Sequence, residues 1–259
     1  MVKYVPLSPA KHAGRRWCRP FHFGFASQAT VVAITGAEIA NAATNMPIAF
    51  VKEANRFQLV GVLSYQKGRN LFVGPDGRWI GTYTPAVFRT HPFRFLRLPD
   101  AETLVLCVDE ESHLIEEGRG TEPFFDDAGH RSRSLDAVVA VLEALEKSRA
   151  MTAVAVRALD EAGVIAPWKI EIGGDQREAL VGGLYRVDES LLQKLDDASY
   201  LKLRKAGALP LAFAQLISMA RLGLLVQLSD SQKRWAEVAP NPTTLSDFLG
   251  GPQNELLKF

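Results

Sequence analysis

Between Leu71 and Phe93 the chain reads LFVGPDGRWIGTYTPAVFRTHPF, which sets Trp79, Tyr83, Arg89 and His91 after the tight turn Gly74-Pro75-Asp76-Gly77. Two aromatic rings and a guanidinium can grip a planar or carboxylate-bearing ligand, through stacking and a two-pronged hydrogen bond. The same residues serve equally as packing, with the rings in the core and Arg89 paired to an acidic segment. Residue types alone leave both readings open.

A second polar cluster, Asp109-Glu110-Glu111-Ser112-His113, follows an apolar run that reads as a strand. Carboxylates at a strand end can bind a hard cation or act as acid and base. They can also simply bond the local backbone as the strand exits into a loop. No other cluster completes a metal site, so the structural role is expected here, with no metal and no cofactor. Cys18 and His22 in CRPFH offer only two ligands, half of what a zinc site needs. Trp79, Tyr83, Arg89, Asp109 and Ser112 are therefore the candidate ligand- or partner-contacting residues, and no catalytic residue is assigned.

Several chemistries are excluded by pattern. The chain has no G-x-x-x-x-G-K-[ST] phosphate loop, no G-x-G-x-x-G, no G-x-S-x-G elbow and no H-E-x-x-H. A formal net charge of +1 singles out neither nucleic acid nor a membrane as partner. Charge is nonetheless blocked. Residues 1–37 carry Lys3, Lys11, Arg15, Arg16 and Arg19 without an acid, whereas residues 100–127 hold ten acids against Arg119. Blocks of opposite sign in one chain are expected to face each other or to lie on separate solvated faces. Two cysteines make no disulfide framework, and no apolar run near the N-terminus reads as a secretory signal, so a cytoplasmic location is expected.

The elements that must position these residues read as α+β. The N-terminal half is β-rich (about 20–127), with antiparallel hairpins. MPIAFVKE and FQLVGVLSY form one around EANR, and NLFV and RWIGTY flank the Gly74–Gly77 turn. Thr84 and Pro85 can open a single helical turn that Pro92 closes. ETLVLCVD is a further strand.

The C-terminal half is mostly helical (about 132–228). A helix capped by Ser134 carries Val138, Val139, Leu142 and Leu145 on one face, with a bend near Ser148. WKIEI and LVGGLYRV make one more hairpin. Asp188 and either Asp196 or Asp197 cap two short helices, the second ending at Gly207. Leu209–Leu228 is long enough to span a bilayer, but Gln215, Ser218 and Arg221 run down it as a polar stripe, so a buried or interface helix is expected. Residues 1–228 are read as one domain and 229–259 as a tail. In that tail Phe248 and Leu249, with Phe259 at its end, are candidate docking residues on a partner or on the domain itself.

The ordered set of short motifs resembles the SapC-like family of bacterial proteins, named from a surface-layer protein locus. Met46-Pro47-Ile48-Ala49-Phe50 is similar to the family's Pro-Ile strand. Leu71, Phe72, Asp76, Gly77, Trp79, Tyr83, Pro85, Arg89, Pro92 and Phe93 follow its longest motif. Leu106, Asp109, Ser112, Pro123-Phe124-Phe125 and Gly183-Leu184-Tyr185 with Asp188 continue it. So do Leu203, Gly207, Leu209, Leu216 and Ser218. Met46 and His91 depart from the family's aromatic preference.

The resemblance implies a non-catalytic accessory protein of a cell-surface or outer-membrane uptake system, binding a protein or small-molecule ligand, with self-association left open. Two alternatives stand beside it. One is an enzyme acting on an amino-acid or peptide substrate whose carboxylate Arg89 anchors. The other, weaker, is a nucleic-acid-binding regulator using the basic N-terminus, although no nucleic-acid motif supports it.

Overall fold

The computed structural model describes residues 3–98, 103–117, 121–170 and 182–238. The strands are β1 (Tyr4–Pro6), β2 (Arg15–Trp17), β3 (Val31–Ala33), β4 (Ile48–Glu53), β5 (Arg56–Val62), β6 (Phe93–Arg97), β7 (Leu104–Asp109), β8 (Ile115–Glu117), β9 (Glu122–Pro123), β10 (Ile165–Pro167) and β11 (Leu184–Val187). The helices are α1 (Pro9–His12), α2 (Ile39–Asn45), α3 (Ala86–Arg89), α4 (Arg133–Glu161), α5 (Glu189–Gln193), α6 (Asp197–Lys205), α7 (Ala208–Ser218) and α8 (Leu222–Val238). Antiparallel sheets in the first half and helices in the second make the fold α+β.

The hairpin of β4 and β5 is the centre of a five-stranded sheet ordered β10-β11-β4-β5-β3. Its turn places Ala54 at φ 44° and Asn55 at φ 63°, the paired positive angles of a two-residue hairpin that matches the strand twist. Two three-stranded sheets flank it, β1-β7-β6 and β8-β2-β9. In the second, Arg15 and Arg16 of β2 register with Glu117 and Glu116 of β8, so the N-terminal and 100–127 segments share a sheet. The large core packs Met46, Ile48, Phe50, Val62 and Leu63 against Leu159 and Leu211, while Trp17, Phe93, Phe124 and Leu135 form a second cluster.

Several local expectations change. α4 runs unbroken through Ser148, whose Oγ accepts from Ala37 N at 3.1 Å, so there is no bend. Its cap is Ser132, not Ser134; Leu135 N donates to Ser132 Oγ at 3.2 Å. The segments flanking Gly74–Gly77 are not strands of a hairpin but meet in one bridge, Val73 opposite Trp79. Thr84 does not cap α3, because the distant Glu38 takes that role. The late hairpin uses Ile165–Pro167 as its first strand, and its 173–175 turn lies outside the described residues. Asp188 and Asp196 do cap α5 and α6, accepting from Leu191 N at 3.1 Å and Ser199 N at 2.8 Å. Gly207 follows α6 at φ 69°.

The apolar segment divides into α7, a 3₁₀ turn (Met219–Arg221) and α8. By length and composition Ala208–Trp235 could cross a membrane, yet Gln215 and Ser218 of its polar stripe are buried in the protein, while Arg221 is exposed. Gln215 Oε1 accepts from Val187 N at 2.9 Å, and its Nε2 donates to Ile48 O at 3.1 Å. The register Tyr185–Phe50 and Leu184–Val51 would next place Val187 opposite Ile48. The Gln215 amide thus stands in for a rung of the β4–β11 ladder. Ser218 Oγ accepts from Ile48 N at 2.9 Å alongside it. With Gln215 and Ser218 inward, Phe213 (46% exposed) and Ile217 (70%) face out, flanked along the helix by Pro210 and Ala220.

The helix also outruns Leu228. Ser229 is buried, and Gln232 Nε2 bonds Leu71 O and Val73 O, both at 3.0 Å, so residues 229–238 are helix rather than tail. Phe248, Leu249 and Phe259 lie outside the described residues.

Candidate functional site around the Gly74–Gly77 turn

The turn itself closes with Gly77 N donating to Gly74 O at 2.9 Å. Gly77 sits at φ 74°, and a Cβ there would lie 1.9 Å from His22 Nε2. Both the backbone angle and the histidine above it require glycine. Phe23 N donates to Gly77 O at 2.7 Å, which lays the segment carrying His22, Phe23 and Phe25 across the turn.

Trp79 leaves the turn half-buried. Its ring stacks on Phe72 at 5.3 Å, meets Phe23 edge-on at 5.9 Å, and its Nε1 donates to Tyr83 O at 2.8 Å. Tyr83 in turn donates its hydroxyl to Glu38 Oε1. Exposed Arg89 places its guanidinium 5.8 Å over the Tyr83 ring. Trp79, Tyr83 and Arg89 are therefore one connected group. Arg89 is turned toward Tyr83.

The hub of this group is a residue that sequence reading passed over. Glu38 is 6% exposed and accepts from Thr35 N (3.1 Å), Thr35 Oγ1 (3.3 Å), Ala86 N (2.7 Å) and Tyr83. Four donors satisfy a carboxylate that burial would otherwise penalise heavily. Burial first, then the Glu38 hydrogen bond and charge, push the Tyr83 hydroxyl far above its ordinary pKa, with Arg89 pulling the other way. The signal for Glu38 was present: Thr35-x-x-Glu38 is a capping box.

Asp109 and Ser112 form a second group. Asp109 Oδ1 accepts from Lys3 N at 3.0 Å and Glu111 N at 3.4 Å. Ser112 Oγ lies 3.1 Å from His91 Nε2 and accepts from Leu114 N at 3.3 Å. His91 stacks on Phe25 at 3.8 Å. Burial lowers its pKa to about 4, with the His113 and Arg94 charges helping and Asp109 opposing. The imidazole is neutral at neutral pH. An aromatic series, Trp79–Phe23–Phe25–His91, joins the two groups.

Histidines far apart in sequence also converge here, His22 lying 5.8 Å from His113. Among the described residues, no three His, Cys, Asp or Glu side chains are placed to hold a metal ion. Chemically, the arrangement offers an exposed arginine and a half-buried tryptophan at a surface, above acid and base groups whose bonds are made internally.

The SapC family model matches residues 7–225 of the chain. No curated protein and no solved structure matches it.

Proposed function

This chain belongs to the SapC family, and on that premise we propose that it is a non-catalytic accessory protein of a bacterial cell-surface or outer-membrane uptake system. In this reading it works in the cytoplasm by binding another protein and does not span the membrane. The observation that carries the reading is the inverted helix α7. Its polar side chains are used on the sheet, leaving Phe213 and Ile217 one turn apart in solvent. Exposed apolar stripes flanked by polar surface are the usual form of a protein-docking face. Two carboxylates an enzyme could use are meanwhile occupied, Glu38 by four donors and Asp109 by backbone amides.

The enzyme reading has one point in its favour, the 3.1 Å contact of Ser112 with His91 beside Asp109. A histidine held neutral to about pH 4 is a weak base for that chemistry, since general bases work best with a pKa near the working pH.

The test is recovery of partners from the producing cell with the tagged full chain and with Phe213→Glu/Ile217→Glu. Recovery of a cell-surface or uptake component by the parent, lost in the double variant, is the expected result. Equal recovery by both removes α7 from the reading. Substrate turnover abolished by Ser112→Ala would replace binding with catalysis.

A further inference from the structure

A cavity of about 550 Å³ lies between α4, β5 and β6, with Thr35 and Glu38 also in its lining. Its floor is one face of α4, from Leu142 through Leu145, Arg149 and Thr152 to Val156. That face is about 21 Å long at 1.5 Å per helical residue, the length of about six residues of extended chain.

The side walls are unusual in being strand edges. Consecutive residues line them, Arg56 to Leu59 on β5 and Phe93 to Leu96 on β6. β6 is the outer strand of its sheet. β5 pairs with β3 only from Val60 onward, and Ile34 N reaches Leu59 O beyond that.

The bond directions follow from the flanking contacts. Leu63 N donates to Thr30 O and Leu59 O accepts from Ile34 N, so odd-numbered residues of β5 point toward the β3 side. Phe57 is next in that series, beyond the end of β3. In β6, Pro92 O accepts from Asp109 N on the β7 side, so alternation points the N–H and C=O of Phe95 outward at the free edge. Among the described residues, the outward backbone of Phe57 and Phe95 at the borders of the slot has no strand partner.

Charge around the mouth is mostly positive. Arg56 and Arg94 are exposed residues of its lining, the Arg94 guanidinium resting 5.3 Å over the Tyr4 ring, and Arg149 pairs with Glu146 at 2.8 Å. The second carboxylate, Glu38, is buried and saturated by its four donors.

We propose that this slot binds an extended acidic peptide segment of a partner protein, which adds a strand to β5 or β6 and sets carboxylates against Arg56 and Arg94. A hydrocarbon ligand of the same length would fill the floor but pair with no strand edge, whereas a peptide pairs with one of them. Acidic side chains, alternating with apolar ones, put one face on α4 and the other at the arginines. The proposal stands independently of the α7 docking face.

The probe is a capped, fluorescein-labelled hexapeptide alternating valine and glutamate, compared with its valine–lysine counterpart and with the acidic peptide N-methylated at alternate amides. Fluorescence anisotropy with the full chain should show the acidic peptide binding at least about tenfold tighter than either control, the size of one lost charge-assisted or backbone contact. Binding should slow amide hydrogen exchange at Phe57 or Phe95. Ala153→Trp, at an exposed rim position, should abolish it. Arg94→Glu should weaken the acidic peptide and strengthen the lysine one, a gain that misfolding cannot produce. Equal binding of the N-methylated or lysine peptide, no effect of Ala153→Trp, or no binding up to about 1 mM overturns the proposal. Affinity that rises when Phe248 and Leu256 are both changed to Asp also overturns it, by assigning the slot to this chain's own C-terminal segment.

Discussion

Acidification should destabilise this protein through His91, and the size of the effect follows from its surroundings. His91 is buried, stacked on Phe25 from one side and bonded to Ser112 on its edge. Burial lowers its pKa from 6.5 to about 4; His113 and Arg94 act in the same direction and Asp109 against them. In the unfolded chain the imidazole takes a proton near pH 6.5, whereas in the folded chain it resists until about pH 4. Between those values the unfolded state binds more protons, so stability falls as the pH falls. Each pH unit of separation corresponds to about 1.4 kcal/mol, which makes the full loss about 3 kcal/mol by pH 4. At pH 5 the linkage relation gives about 2 kcal/mol, against about 0.2 kcal/mol at pH 7. Urea unfolding of the parent and of His91→Gln at pH 7 and pH 5 measures this. Glutamine can retain the Ser112 hydrogen bond without titrating. The variant should lose about 2 kcal/mol less than the parent between the two pH values, with m-values unchanged. If both proteins lose the same amount, the His91 argument is wrong.

Gln215→Leu should cost about 2–4 kcal/mol in urea unfolding, because it leaves Val187 N–H and Ile48 C=O buried without partners. An effect under about 1 kcal/mol would mean that the strands close without the side-chain rung. Glu38→Gln should cost about 1.5–3 kcal/mol and bring the Tyr83 ionisation down toward its normal range, read by ultraviolet titration. Gly77→Ala should lower stability by at least about 1–2 kcal/mol from the positive φ alone, with the His22 ring displaced in addition. Chelator treatment should leave the melting temperature unchanged; a fall reversed by one divalent ion would give the Asp109–His113 segment a metal.

What was readable in the sequence was what local chemistry decides. The β4–β5 hairpin, the Gly74–Gly77 turn, the Asp188 and Asp196 caps and Gly207 each depend on a few neighbouring residues. Trp79, Tyr83 and Arg89 could be grouped because eleven residues contain them. Glu38 could not be placed, since its partners Tyr83 and Ala86 lie 45 and 48 residues away. The strands of the β8-β2-β9 sheet are two or three residues long, too short for any periodicity. The polar stripe of α7 was visible, but its direction was not. Only the splayed ends of β4 and β11 explain why glutamine and serine face inward while phenylalanine and isoleucine face out.

That side-chain rung also orders the folding reaction. Gln215 joins Val187, 28 residues back, to Ile48, 167 residues back, so it can form only after both strands have been brought together. The β4–β5 hairpin closes through a two-residue turn and can form early. Placing β11 beside β4 closes a loop of more than a hundred residues, and α7 locks that closure afterwards. Loss of the Gln215 contacts should then leave the folding rate nearly untouched and appear almost wholly as faster unfolding, which makes α7 the latch that sets how long the native sheet survives once formed.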